Sequence, residues 1–329
     1  MKAAFPPGIL PEGQQERIDH HYRSRPFSLF WEMRAILYLG VLFLCSGLGI
    51  LIYKNIDTIG HQTILGAIVA ATAACFWYCA RHAKPFTYAQ AAADSSWAEY
   101  MLLLGVLLFG VFTGYLQVKY SVFGDDHALA LGLPATLYLF LAYRFDHRGV
   151  LQLAISGFCA AIGIVTTPLA AIQENVFDHH APVWTGLAMG AALAVAGALS
   201  ELRDFKRHFS FSYINFAMHL SMIAGITGLV IGKGWEKWFF FLLVGALGAG
   251  LWKYARWKRS HYFLLFAVLY VYVAFSYGFL RLLFLADASA GVSFAFFYFI
   301  LSCAGTIYFF LNMKTFLKAE SEDAGLPEK

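Results

Sequence analysis

The strongest constraint on this chain is residues 35–53, a stretch of 19 residues that contains no charged side chain. An α-helix rises about 1.5 Å per residue, so about 18 or more consecutive apolar residues can cross the hydrocarbon core of a bilayer. Arg34 precedes the stretch and Lys54 follows it, which places a charge at each end of the expected helix. The stretch therefore predicts a transmembrane helix, and similar stretches recur as far as residue 312.

The composition fits a chain that lies mostly inside a membrane. Hydrophobic residues make up 60% of the chain and charged residues 13%, whereas a soluble globular domain carries about 25% charged residues. The formal net charge of +4 is small and dispersed, which argues against nucleic acid as a partner. We therefore expect an all-α integral membrane protein whose main partner is the lipid bilayer.

Ten apolar segments predict a bundle of ten transmembrane helices with short connections. The segments are residues 35–53, 61–80, 99–117, 127–143, 149–169, 182–200, 210–232, 237–252, 261–285 and 293–312. The expected organisation is a cytoplasmic N-terminal segment with a short helix (residues 1–34), a membrane domain (35–313) and a polar cytoplasmic tail (314–329).

The positions of Lys and Arg predict the orientation of the helices, because cytoplasmic loops of membrane proteins are enriched in both residues. If both termini are cytoplasmic, the inner side holds 19 of the 24 Lys and Arg residues. The outer side then holds the other five, namely Lys54, Lys119, Lys233, Lys237 and Arg281. This unequal distribution favours ten helices with both termini in the cytoplasm.

Small residues within the spans predict close packing of helices. Glycines recur on helical faces as Gly110 with Gly114, Gly186 with Gly190, and Gly245, Gly248 and Gly250. Such residues let the backbones of neighbouring membrane helices approach each other. All five cysteines lie in apolar segments, where Cys behaves as a small hydrophobic residue.

The N-terminal third, roughly residues 8–80, has a recognisable pattern. A short polar helix begins with the sequence GILPE at residues 8–12, a glycine-containing first span follows, and Asn55 and Asp57 mark its polar exit. This pattern resembles domain-of-unknown-function family 2157, a family of predicted bacterial membrane proteins. That family usually has a tryptophan after the asparagine, where this chain has Ile56. The resemblance implies a multi-pass protein of the bacterial cytoplasmic (inner) membrane and brings no established activity.

A polar stripe on the seventh segment is the first candidate for a functional site. His219 lies about 14 Å from Ser210 along a helix that rises about 1.5 Å per residue, and an ionisable residue at this depth indicates a functional site by default. At about 100° per residue, Ser212 and Asn215 fall within about 40° of His219, and Thr227 within about 80°. We expect this stripe to face the helix bundle.

The ninth segment offers a partner for the stripe. Tyr270, Tyr277 and Arg281 recur at i, i+7 and i+11, so they share one face of a helix. One interpretation is a polar cavity between the two helices, with His219 as a proton-responsive element. The alternative is a neutral His219 that is hydrogen-bonded to a neighbouring helix, with Arg281 extending towards the outer surface. The sequence places no Asp or Glu deep in a span, which favours the alternative.

Two consecutive outer loops contain the second candidate, a set of acidic residues and histidines. The residues are Asp125, Asp126 and His127 in one loop and Glu174, Asp178, His179 and His180 in the next. Carboxylate and imidazole groups can bind a divalent metal ion, but no helical His-x-x-x-His spacing fixes their geometry. A metal site would require the two loops to converge, and a hydrated acidic rim is the alternative.

Known enzyme motifs are missing from the sequence. The chain contains no HExxH sequence and no glycine-rich phosphate loop between a strand and a helix. We therefore expect no catalytic residue and no cofactor. Three functions stay open: movement of a small solute, passive or proton-linked; a structural or accessory role without transport; and a metal-dependent membrane enzyme with outer-loop ligands. The ligand and the oligomeric state, including a homo-oligomer, also stay open.

Overall fold

The structure, a computed structural model, describes residues 30–83, 85–89, 96–166, 180–286 and 288–312. Within these ranges the regular elements are ten α-helices and one short 3-10 helix, Arg207–Phe209. The α-helices are α1 (Phe30–Ile59), α2 (His61–Arg81), α3 (Ser96–Tyr120), α4 (His127–Phe145), α5 (Arg148–Thr166), α6 (Ala181–Leu202), α7 (Ser210–Ile231), α8 (Glu236–Trp257), α9 (His261–Ala286) and α10 (Ala288–Leu311). Each coincides with one predicted apolar segment, which confirms the predicted all-α fold of a membrane protein.

Nine of these described helices, α2 to α10, are long and apolar enough to cross a membrane. The described part of α1 contributes a shorter apolar stretch, Ala35–Leu51. Pro134 lies inside α4 and is buried, and proline is tolerated within membrane helices when neighbouring groups satisfy the freed backbone. Residues 1–29 and 313–329 lie outside the described residues, and they hold most of the predicted N-terminal segment (1–34) and all of the predicted tail, whereas residues 30–34 belong to α1.

The chain divides into two compact units. The first unit consists of Met1–His82 and Ala93–Phe112, and the second of Ala83–Ala92 and Thr113–Lys329. In the first unit, α2 packs against the N-terminal part of α3 through Ile64, Cys75 and Leu108. Both candidate sites from the sequence belong to the second unit.

The second unit is built around α7, which packs against α5, α6, α8 and α9. One hydrophobic core, centred on Met222 and Phe240, joins α6, α7, α8 and α9. A second core, centred on Leu264, joins the N-terminal half of α7 to α8 and α9. The consequence is that α7 and α9 are held at a fixed distance, so polar side chains on their facing surfaces can meet.

Glycines bring α6 and α7 together, as their spacing predicts. A Cβ atom at Gly186 would lie 3.0 Å from the Cβ of Ala224, which is tighter than an ordinary contact. A Cβ atom at Gly190 would collide with the Oγ of Ser221 and lie 3.2 Å from the backbone nitrogen of the same residue. The close approach of these two helices therefore depends on glycine at position 190.

The glycines of α8 do not act as a set. Gly248 faces Val271 of α9 so closely that a Cβ atom there would collide with its side chain. Gly245 and Gly250 have nothing within 4 Å of the position where a Cβ would lie. Of these three glycines, only Gly248 therefore lies at a helix contact that excludes a larger side chain.

Candidate functional site

His219, near the middle of α7, contacts two tyrosines of α9. Its Nδ1 atom lies 2.7 Å from the hydroxyl of Tyr270, and its Nε2 atom lies 3.1 Å from the hydroxyl of Tyr262. The ring of Phe266 stands edge-to-face against the imidazole, with 4.7 Å between ring centroids. Both nitrogen atoms of the imidazole are therefore hydrogen-bonded within the helix pair.

The direction of these hydrogen bonds follows from Asn215. The hydroxyl of Tyr262 donates to the side-chain oxygen of Asn215 at 2.7 Å, so its oxygen accepts the bond from the Nε2–H group of His219. When the imidazole is neutral, the Nδ1 atom then accepts from the hydroxyl of Tyr270. In this protonation state, a directed chain runs from Tyr270 through His219 and Tyr262 to Asn215.

Helical spacing explains how the sequence builds this cluster. Asn215 and His219 are four residues apart, and Tyr262, Phe266 and Tyr270 follow one another at intervals of four, so each set lies on one face of its helix. The contact between His219 and Tyr270 is the one that the sequence indicates. Tyr262 and Phe266 were missed, although their spacing from Tyr270 was the signal that could have identified them.

The remaining predicted residues of the α7 stripe do not join this cluster. Ser212 is buried with 1% of its surface exposed, and its hydroxyl forms no hydrogen bond with the described residues. Thr227 is exposed on another part of α7. Only Asn215 and His219 of the predicted stripe therefore share one hydrogen-bonded network.

Tyr277 and Arg281 form a separate arrangement nearer the end of α9. The Nη1 atom of Arg281 donates to the hydroxyl of Tyr277 at 3.0 Å. That hydroxyl in turn donates to the backbone oxygen of Val230, near the end of α7, at 3.4 Å. The guanidinium group is thereby fixed against the C-terminal end of α7.

A cavity of about 490 Å³ lies beside this pair. The end of α7, the start of α8 and the second half of α9 enclose it. Its lining contains three cationic side chains, several aromatic rings and aliphatic groups. They are Leu229, Lys233, Gly234, Lys237, Trp238, Phe241, Phe275, Tyr277, Gly278, Phe279, Arg281 and Leu282. The described lining includes neither His219 nor Asn215, so the predicted polar region is divided into a hydrogen-bonded cluster and a cavity.

Glu236, whose position in the sequence is between Lys233 and Lys237, has other partners. Glu236 accepts a hydrogen bond from the backbone nitrogen of Lys233 at 3.1 Å, and it lies 3.9 Å from the Nε2 atom of His180. The carboxylate therefore lies in the first turn of its own helix, where the helix dipole favours a negative charge. Within the described part of the chain, no ion pair neutralises Lys233, Lys237 or Arg281.

The outer-loop residues that could bind a metal ion are only partly described. Asp125, Asp126 and His127 are exposed, and the side-chain nitrogen of Gln117 lies 3.2 Å from Nδ1 of His127. Glu174, Asp178 and His179 lie outside the described residues, and His180 lies near Glu236. Among the residues that the structure describes, no group of three His, Cys, Asp or Glu side chains could hold a metal ion. A metal site between the two loops stays a prediction.

A buried charge cluster on the predicted inner side was not identified from the sequence. The Oδ1 atom of Asp146 lies 3.2 Å from the Nζ of Lys206 and 2.5 Å from the Nε2 of His208. The exposed fraction of these three side chains is 5%, 2% and 7%, respectively. They join the connection between α4 and α5 to the connection between α6 and α7.

Backbone contacts hold Lys206 in this cluster. Its nitrogen donates to the backbone oxygen of Tyr88 at 2.9 Å, and its Nζ lies 5.1 Å from the ring centroid of Phe86. The hydroxyl of Ser200 donates to the backbone oxygen of Lys206 at 3.1 Å. Asp146 and Lys206 both have left-handed backbone angles, with φ of 59° and 49°, which is uncommon for residues other than glycine. The surrounding contacts must therefore offset this strain.

Comparison with known proteins supports the class of the molecule and no specific activity. The family model described as predicted membrane protein (DUF2157) matches residues 6–151. This match confirms the resemblance seen in the N-terminal portion of the sequence. No curated protein and no solved structure matches the chain. The His219 cluster and the cavity both lie beyond the matched residues.

Proposed function

We propose that this multi-pass membrane protein moves a small solute along the contact between α7 and α9. The observation that carries the proposal is the cavity of about 490 Å³ at the ends of these helices, a volume within the range of about 300–1,000 Å³ that ligand pockets occupy. The His219 cluster lies on the same helix pair. Ionisable residues within membrane spans mark substrate or ion pathways in many membrane proteins, which supports a role in transport for this helix pair.

The cavity and the cluster each include one tyrosine of α9. Tyr277 lines the cavity and Tyr270 contacts His219, and seven residues between them correspond to about 10 Å along the helix. Protonation of His219 would convert Nδ1 from an acceptor into a donor, so the bond from Tyr270 would have to reverse. This reorganisation supports proton-linked movement over passive movement.

The test is uptake into proteoliposomes with an imposed pH gradient. Three radiolabelled probes of different charge would be compared: hexanesulfonate, hexyltrimethylammonium and mannitol. We expect one probe to enter faster than into protein-free vesicles, and His219→Ala to reduce its uptake to the protein-free rate. His219→Gln keeps hydrogen-bonding groups but cannot titrate, so it should abolish the response to the pH gradient.

A matched control is available on the same helix. The hydroxyl of Tyr272 lies 3.0 Å from Ser302 of α10 and does not contact His219. Tyr272→Phe should therefore leave uptake unchanged. If none of the three probes enters faster than into protein-free vesicles, the transport proposal is wrong.

A structural or accessory role is the second candidate, and the completed hydrogen bonds of His219 favour it. Polar side chains that bond across membrane helices contribute about 0.6–2 kcal/mol to helix association. In that case His219→Ala would lower the thermal stability of the purified protein, and no probe would enter proteoliposomes made with the wild type. Uptake by the wild type would exclude a purely structural role.

A further inference from the structure

We infer that the cavity between α7, α8 and α9 binds a single-chain amphiphile with an anionic oxygen head group. This inference rests on the proposed function, because it names the class of solute that enters at this site. It is carried by two features that occur together in the lining: three cations and an apolar aromatic wall.

The cations define the head-group end of the site. Lys233 precedes α8, Lys237 lies in its first turn, and Arg281 lies in the second half of α9, so three positive charges converge from two helices. Like charges held near a low-dielectric region repel each other, and an anion between them removes this cost. No described carboxylate forms an ion pair with them, and Glu236 instead accepts from the backbone nitrogen of Lys233 and lies near His180.

Arg281 is positioned for recognition of an oxyanion. Its Nη1 atom is bonded to the hydroxyl of Tyr277, which is itself bonded to Val230. A guanidinium group has five N–H donors in a rigid plane and binds carboxylate or phosphate with two parallel hydrogen bonds. Because Tyr277 fixes the side chain, less conformational entropy is lost when the anion binds.

The remainder of the lining is suited to a hydrocarbon tail. Phe241, Phe275, Phe279 and Leu282 supply apolar surface, and Trp238 adds an indole ring. The volume of about 490 Å³ is that of a site for one small ligand. We therefore assign the site to an amphiphile with one chain, and a two-chain phospholipid is an alternative that the experiment can detect.

Trp238 provides a direct reporter of occupancy. The protein would be placed in nanodiscs of unbrominated zwitterionic lipid, and a dibrominated long-chain fatty acid would be added at alkaline pH, where its carboxyl group is ionised and Lys stays protonated. Bromine quenches tryptophan fluorescence on contact. The signal of Trp238 is the difference between wild type and Trp238→Phe. We expect saturable quenching by the acid and much weaker quenching by its methyl ester.

Variants of the cations test the head-group assignment. Arg281→Gln and Lys237→Gln should each weaken binding of the acid about tenfold, because each removes a charge-assisted hydrogen bond. Lys119→Gln removes an exposed cation at the end of α3, outside the lining, and should bind as the wild type does. Tyr277→Phe should weaken binding less than Arg281→Gln, because it releases the guanidinium without removing its charge.

The outcomes separate this inference from the proposed function. Equal quenching by acid and ester, or equal binding by Arg281→Gln and wild type, would overturn the anionic site. Displacement of the acid by an anionic two-chain phospholipid at equal concentration would overturn the single-chain assignment. If the acid binds in a head-group-dependent way but no probe is taken up, the transport proposal is wrong and the anionic binding site stands. If a probe is taken up but the acid shows no such binding, the anionic binding site is wrong and the transport proposal stands.

Discussion

At the scale of single residues, Asp146, Lys206 and His208 place a group of charges in a buried position. One carboxylate oxygen lies within ion-pair distance of both the ammonium and the imidazole, and all three side chains are almost fully buried. A buried ion pair gains little over a well-packed apolar pair, but removing one partner leaves a charge without compensation. Substitution of one of these residues is therefore expected to destabilise the protein because it leaves a buried charge without its partner.

The change Asp146→Asn should destabilise the protein by about 3–5 kcal/mol, because it leaves the ammonium of Lys206 buried without a counter-charge. Thermal or denaturant unfolding of the detergent-solubilised protein measures the effect. Asp204→Asn is the control, since Asp204 is 77% exposed and pairs with Arg207 at the surface. The double variant Asp146→Asn with Lys206→Met should recover part of the lost stability. Equal stability of Asp146→Asn and Asp204→Asn would contradict the proposed role of the buried ion pair.

Residue contacts could be predicted only where helical periodicity determines them. The contact of His219 with Tyr270 follows from one face of α7 meeting one face of α9. Asp146 and Lys206 are ordinary loop charges in the sequence, because they are sixty positions apart and follow different helices. Their burial depends on how two connections pack together, which no local pattern encodes.

At the scale of helices, close contact between α6 and α7 depends on a small residue at one position. The change Gly190→Ala should destabilise the protein by about 1–3 kcal/mol, because the added methyl group would overlap Ser221 and force the helices apart. Gly245→Ala is the matched control, since its methyl group would meet open space and alanine favours a helix by up to about 1 kcal/mol. Melting temperatures of the two purified variants give the comparison, and a similar decrease for both would contradict the proposed contact.

Most helices could be predicted closely, whereas α1 and α3 are longer than their apolar segments at both ends. The apolar segments mark the part of each helix that is suited to the hydrocarbon core of the membrane. The helices α1 and α3 extend beyond those segments in both directions. Polar residues at the membrane surface continue a helix whose backbone bonds are already formed, because ending the helix leaves carbonyl or amide groups without partners. Hydropathy therefore finds the spans and underestimates their lengths.

At the scale of the whole molecule, the distribution of Lys and Arg predicts which connections face the cytoplasm. Lys119 and Asp204 are exposed and lie on opposite predicted sides. In a variant whose five cysteines are replaced by alanine, a membrane-impermeant maleimide should label Lys119→Cys in intact cells and label Asp204→Cys only after permeabilisation. The reverse pattern would show that the orientation is wrong. The cysteines to be replaced are Cys45, Cys75, Cys79, Cys159 and Cys303.

The division into two units could not be predicted from the sequence. All ten segments look alike in composition, and the boundary falls within α3, between Phe112 and Thr113. The number of spans is a local property of the chain, whereas grouping them depends on which helix faces contact each other. For the same reason, the cavity was not expected to be separate from the His219 cluster.

The pairing of Asp146 with Lys206 also imposes an order on the synthesis of the protein. Ribosomes add about 5–20 residues per second, so about 3–12 s separate the appearance of the carboxylate from that of its ammonium partner. During that interval α4 and α5 can already insert, but the Asp146 side chain must stay hydrated because burial without its partner is costly. The connection between α4 and α5 can therefore reach its final position only after α6 has been made and its following loop has emerged.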